Sequence, residues 1–206
     1  MFKDKILKTN FRNLLNGEDN SDEEVDNDFD SKIKKINNII YFYSDITVES
    51  ILYLKELLHE LHIELIENSI KYQFNPIIQL RIQSNGGDLF AGLDSYNFIK
   101  NFPIEIYTYV DGFIASSATF LYLGGKERYI SENSYVLIHQ LSTGTWGPYS
   151  ILQDEMQNIT KLMKKIIDTY KKHITMPQKN LNKILKNEIY LDCNECIKYC
   201  FSTHII

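Results

Sequence analysis

"SNGGDLFAGLDSYNFIKNFPIEIYTYVDGFIASSATFLYLGG", residues 84–125, is the stretch on which the fold turns. Its "NGGD" opens as a glycine turn, and the run to Phe102 that follows reads as a helix. "IEIYTYVDG" is rich in aromatic and β-branched residues and predicts a strand. "SSATFLYLGG" predicts a short helix closed by Gly124 and Gly125. Upstream, "PIIQLRIQS" and "INNIIYFYS" read as two further strands. Between them, Val48, Ile51, Leu52, Leu54, Leu58, Leu61 and Leu65 recur at roughly helical spacing, with Thr47 or Ser50 as the helix start. Downstream, "RYISENSYVLIHQL" predicts strand, turn, strand. "SILQDEMQNITKLMKKIIDTYKKHI" is the longest helical pattern, and "KNLNKILKN" and "CNECIKYCF" are two short closing elements. Strands alternating with helices imply βαβ units and a mostly parallel sheet.

The chain has 206 residues, of which 44% are apolar, enough for one domain and a tail. Residues 17–31, "GEDNSDEEVDNDFDS", are an acidic run that repels itself and buries little. We read 1–37 as a flexible N-terminal extension and 38–206 as the domain; an acidic docking tail is the alternative. A net charge of −5 argues against a nucleic-acid binder. No apolar run reaches the length of a membrane span. "MFKDKILKTNFRNLL" lacks the apolar core of a secretory signal and reads as a short amphipathic helix; Asp4 and the scarcity of serine argue against a mitochondrial presequence. The three cysteines, Cys193, Cys196 and Cys200, crowd into one segment, which is no secreted disulfide framework. A reducing compartment, the cytoplasm, is expected.

Acyl transfer needs a nucleophile, a base, an orienting acid and donors for the oxyanion. Ser116 and Ser117 compete as nucleophile where a strand gives way to a helix. His139 ends the apolar strand "SYVLIHQ", a rigid element that would hold its imidazole. Gly86 and Gly87, lacking Cβ, let a carbonyl approach their backbone. Each signal has a plainer reading: a helix cap for the serines, a structural histidine, an ordinary turn for the glycines.

Taken in order, "SNGGDLFAGLDSYNFIK", "DGFIASSATFLYLGGKERYISENSYVLIHQ" and the long helix resemble the ClpP family of self-compartmentalised serine peptidases. That family carries a Ser-Pro-Gly-Gly turn, a Gly-x-x-Ala-Ser-Met segment around its nucleophile and an Ile-His-Gln-Pro segment around its base. The resemblance spans about residues 38–206 and implies a ClpP/crotonase-like α/β fold, a spiral of ββα units with a long protruding handle helix. The divergent remainder points to a viral- or phage-type member. Carried over residue by residue, the resemblance makes Ser116 the nucleophile, His139 the base, and the amides of Gly87 and Ser117 the oxyanion hole. Ser117 stands at the family's Met, and Asn85 at its Pro. Glu188 falls where the family has its catalytic Asp, with Asp192 as the fallback acid. The implied activity is serine endopeptidase action on unfolded proteins or peptides. The implied assembly is a double heptameric ring fed by an AAA+ ATP-dependent unfoldase. In the family the handle interdigitates between rings, and "STGTWGPY" corresponds to a strand that pairs with extended peptide. No cofactor or metal is called for.

Other constellations are weighed against this. Cys193, Cys196 and Cys200, with His204 beyond, suggest zinc, but one helix face cannot surround a tetrahedral ion, so small buried hydrophobes are expected instead. Lys126 offers a Ser–Lys dyad, but its charged "KER" setting makes it a poor base. Two other readings stay open: a catalytically silent ring subunit, and a crotonase-type enzyme acting on acyl-CoA.

Overall fold

The computed structural model describes residues 32–206. It contains β1 (Ile33–Ile36), β2 (Ile39–Phe42), α1 (Val48–Tyr72), β3 (Ile77–Ser84), α2 (Leu89–Lys100), β4 (Glu105–Ala115), α3 (Ala118–Leu123) and β5 (Arg128–Ile130). These are followed by β6 (Tyr135–Leu137), α4 (Tyr149–Lys171), α5 (Gln178–Asn187), β7 (Tyr190–Leu191), α6 (Cys193–Lys198) and β8 (His204–Ile205). The sheet begins at Ile33, inside the stretch that composition assigned to the extension; the rest of that stretch, 1–31, lies outside the described residues. The sequence "IKKI" pairs antiparallel with β2 and buries Ile33.

The sheet runs β1-β2-β3-β4-β5-β8, and every neighbouring pair after β1–β2 on that path is parallel. The architecture is the expected α/β arrangement of helices on a mostly parallel sheet. Period-2 alternation sends Ile40, Phe42, Ile78, Leu80, Ile82, Ile106 and Val110 to one face, where they are buried. Helix α1 contributes Ile51, Leu54, Leu58 and Leu61 at helical spacing to the same core. Thr47 starts α1 through a reciprocal capping box with Ser50, so both candidate start residues act together.

Strand β4 runs to Ala115, three residues beyond the end expected at Gly112. The reason is an irregularity. Ile82 pairs with Val110 but Ser84 with Ile114, so Asp111 and Gly112 are accommodated in a bulge that lets the strand continue. The extension gives β4 two successive partners on one edge. Residues Thr108–Val110 pair with β5 and Phe113–Ala115 with β6. This fork carries the chain toward the candidate site.

Helix α4 buries only Ile166, Thr169 and Tyr170, near its C-terminal end. Its N-terminal half leaves Tyr149, Ile151, Leu152 and Met156 exposed, matching the expected protruding handle. The segment before it, with Trp146 96% exposed, forms no strand in the isolated chain.

Candidate active site

The register of the fork brings the site together. Ala115 of β4 lies opposite Leu137 of β6, so Ser116 and His139, one and two residues beyond that pair, leave the sheet side by side. The amide of Ser116 donates to the Leu137 carbonyl at 2.9 Å. Strand β6 ends at Leu137, so His139 lies just past the strand rather than on it.

Ser116 adopts φ +54°, the left-handed region that a non-glycine residue enters only at a cost of about 1–2 kcal/mol. Neighbours hold it there. Its carbonyl accepts from the Thr119 amide at 3.1 Å and from the Thr119 hydroxyl at 2.5 Å. Such a corner at a strand-to-helix junction turns a serine side chain out of the sheet toward substrate. Ser116 is partly exposed, whereas Ser117 is buried against α2.

Ser117 occupies the N-cap position of α3 but caps nothing. Its Oγ is a buried side-chain polar atom without a hydrogen-bond partner, the only one among the described residues. The cap reading of that serine is therefore not what the structure displays.

The glycine turn abuts this corner. A Cβ built on Gly86 would stand 2.6 Å from the Ser116 Cβ and 3.1 Å from the Ser117 nitrogen. At Gly87, with φ +145°, a Cβ would meet the Ile46 carbonyl oxygen at 2.3 Å. The turn is fastened by Ile46 donating to the Gly86 carbonyl and Asp88 donating to the Ile46 carbonyl, both at 2.8 Å. Among the described residues, neither the Gly87 amide nor the Ser117 amide donates to a protein acceptor.

Ser116, Ser117, Gly87 and His139 line one cavity of about 290 Å³, whose apolar wall includes Leu89, Phe120, Leu141 and Ile166. His139 Nδ1 meets the Gln140 carbonyl at 2.6 Å. A carbonyl only accepts, so Nδ1 carries the hydrogen and the neutral ring leaves Nε2 as the acceptor. Among the described residues no hydrogen bond joins Ser116 to His139, though both line the one cavity.

Of the acids, Glu188 is exposed and caps α5 with φ +51°, its amide donating to the Ile184 carbonyl. It does not line the cavity. Its helix is nonetheless tied to the site, since the Gln140 amide donates to the Leu185 carbonyl at 2.8 Å. Asp192 is occupied elsewhere. It caps α6 by accepting from the Glu195 amide at 2.8 Å.

Lys126 lines a different cleft, with Lys100 and Arg128, and does not reach the serine. Cys193 and Cys196 are buried, and burial pushes the Cys196 thiol well up. Cys200 departs from the buried expectation: it is exposed at a left-handed residue just after α6. His204 stacks on Tyr129 and meets Glu127 rather than joining the cysteines. No group of three or more potential metal ligands occurs among the described residues.

Two contributors carried no sequence signal. Tyr170 of α4 lines the cavity from beneath, and its hydroxyl meets Thr119 at 2.8 Å. Gln140 serves through its backbone, which side-chain identity does not reveal.

The chain is similar to an ATP-dependent Clp protease proteolytic subunit from Deinococcus radiodurans, with 28% identity over 131 residues. That match covers 63% of this chain and spans 64% of the relative's length. A solved structure of a ClpP1 mutant from Listeria monocytogenes superimposes with a TM-score of 0.67, covering 82% of this chain and 91% of that one at 22% identity. The family model described as Clp protease matches residues 39–206, and the chain belongs to the Clp protease family.

Proposed function

We propose that this chain is a serine endopeptidase subunit. The carrying observation is the fork of β4, which sets the left-handed Ser116 corner and His139 into one cavity beside two undonated amides. Ser116 Oγ attacks a peptide carbonyl while His139 Nε2 takes its proton. The Gly87 and Ser117 amides receive the oxyanion. His139 then returns the proton to the leaving amine, and water releases the acyl-enzyme through the same pair. The apolar wall of the cavity suits an apolar side chain beside the scissile bond.

Glu188 is the proposed acid. In the isolated chain the Gln140 carbonyl holds His139 Nδ1, so the carboxylate would replace that carbonyl rather than create the tautomer. The Gln140 amide donates to the carbonyl of Leu185, three residues before Glu188, which ties the end of α5 to the residue beside His139.

Homo-oligomerisation fits two surfaces. The sheet face opposite the helices presents Tyr41, Tyr107, Tyr109 and Tyr129 around the Arg81–Asp111 pair, and the first half of α4 exposes Tyr149, Ile151, Leu152 and Met156 among polar residues. Clusters of exposed apolar and aromatic side chains such as these are candidate protein interfaces. A ring serving polypeptide substrates delivered by an AAA+ unfoldase is the assembly proposed; the Deinococcus relative is named as the proteolytic subunit of an ATP-dependent protease. No described helix is long and apolar enough to cross a membrane.

Labelling by a serine-directed fluorophosphonate across a size-exclusion profile tests the reading. Labelling of the wild type, lost in Ser116→Ala and weak in His139→Ala, is expected in the oligomeric fractions. An unlabelled wild-type oligomer would instead indicate a silent ring subunit.

A further inference from the structure

Beneath the Ser116 corner, two hydroxyls from different helices form a chain that ends on the Ser116 carbonyl. Thr119 Oγ1 lies 2.5 Å from that carbonyl, and the Tyr170 hydroxyl lies 2.8 Å from Thr119 Oγ1. Thr119 and Tyr170 are both buried, at 0% and 1% exposure, so water does not compete for these bonds. Proton bookkeeping fixes their direction. Thr119 has one hydroxyl hydrogen and the Ser116 carbonyl only accepts, so that hydrogen goes to Ser116. Tyr170 must then be the donor to Thr119. Burial pushes the Tyr170 phenol well above its ordinary range, which keeps it protonated and able to donate.

We propose that Thr119 and Tyr170 are positioning residues: a two-hydroxyl relay that holds the strained Ser116 backbone in its left-handed corner from the base of α4. The proposal rests on Ser116 being the nucleophile.

A helical threonine bonding the carbonyl three residues back is commonplace by itself. Ser69, Ser95 and Thr169 make comparable bonds to carbonyls of their own helices. Thr119 differs in two respects. The carbonyl it holds belongs to a residue at φ +54°, and its oxygen receives a second bond from another helix. The Tyr170 ring is itself fixed, stacked on Phe120 at 5.2 Å and packed beside Phe201. Tyr170 and Phe120 also line the cavity. The relay thus joins the root of the long helix to the reacting serine, with little rotational freedom along its length. Without the Thr119 hydroxyl the Ser116 carbonyl keeps only its bond from the Thr119 amide; without the Tyr170 hydroxyl the Thr119 hydroxyl still reaches that carbonyl but is no longer anchored to α4. The corner then spends less time with Oγ aimed at substrate.

The test uses the full chain, with Tyr170→Phe and Thr119→Val as variants that remove one hydroxyl each, and Thr119→Ser as the variant that restores it. Fluorophosphonate labelling rate and peptide-hydrolysis kcat and KM are measured well below each variant's Tm. Each hydroxyl deletion is expected to slow labelling and lower kcat about ten-fold, the kinetic equivalent of one net hydrogen bond. KM should stay nearly unchanged, because the two hydroxyls are engaged with each other and with the Ser116 carbonyl. Thr119→Ser should recover most of the rate, and the double variant should be little worse than either single one, since both remove the same chain. Wild-type labelling and kcat in Tyr170→Phe would overturn the relay while leaving the peptidase reading intact, and this variant preserves the ring packing if Thr119→Val folds poorly. Absence of Ser116-dependent labelling in the wild type would remove the reading and the relay together.

Discussion

Ser116 and Glu188 have almost the same backbone conformation, φ +54° and φ +51°, for opposite reasons. At Glu188 the left-handed turn ends helix α5. It is exposed, and its amide closes the last turn on Ile184. This is an ordinary helix stop, normally given to glycine. At Ser116 the same dihedral is imposed by the Leu137 carbonyl on one side and both Thr119 donors on the other, where a strand must become a helix within two residues. Strain that several neighbours enforce beside a cavity points to a working residue; strain at an exposed helix end does not.

Replacing each residue by glycine separates the two cases most sharply. Ser116→Gly should relieve the corner yet abolish fluorophosphonate labelling and cut peptide hydrolysis by roughly ten-thousand-fold or more, as losing a triad member does. Activity retained in Ser116→Gly would break the comparison outright. Next in size is the oxyanion side. Gly87→Ala pushes a methyl into the Ile46 carbonyl and displaces the amide, with an expected loss of about 100- to 1,000-fold in kcat.

Glu188→Gln sharpens the acid assignment. Because the Gln140 carbonyl already selects the useful tautomer, a loss of about 10- to 100-fold is expected in kcat, well short of the Ser116 effect. Unchanged kcat would leave Glu188 as a helix cap alone. Glu188→Gly should raise stability by up to about 1 kcal/mol, a Tm gain of about 2–4 °C by thermal melt, since the gain at a left-handed cap outweighs glycine's entropic cost.

The smallest effect lies away from both corners. His173 sits near the end of α4, its Nε2 2.8 Å from the Tyr96 hydroxyl. Burial first, then Arg128, Lys100 and Lys172, lowers its pKa from 6.5 to about 4. Between those values the unfolded chain takes a proton that the folded chain refuses. Stability from this group is therefore present above about pH 6.5 and declines as pH falls toward about 4. His173→Gln should flatten that part of the Tm–pH curve while leaving labelling at neutral pH unchanged. An unaltered curve would show that His173 titrates normally in the fold.

Much of the architecture was legible because it rests on short-range pattern. Alternation in "PIIQLRIQS" and helical spacing in α1 report burial directly, and both elements occur where read. Gly124 and Gly125 stop α3 as expected. Errors gathered where pairing overrides local preference. Gly112 reads as a strand end but is carried through in a bulge, because Phe113–Ala115 find a partner in β6. The "IKKI" stretch falls within the extension read over 1–37 but gains a place at the sheet edge against β2.

The sequence by itself determined the order of strands and helices apart from β1, β7 and β8, and the family resemblance of its motifs singled out Ser116, His139 and the glycine turn as one constellation. Tertiary structure alone decided how they meet: the fork of β4 places Ser116 and His139 side by side, the Gln140 carbonyl holds the imidazole, and Thr119 and Tyr170 reach the serine from below. Periodicity records what one segment buries. Register, and hydrogen bonds between residues distant in sequence, exist only once the segments have packed.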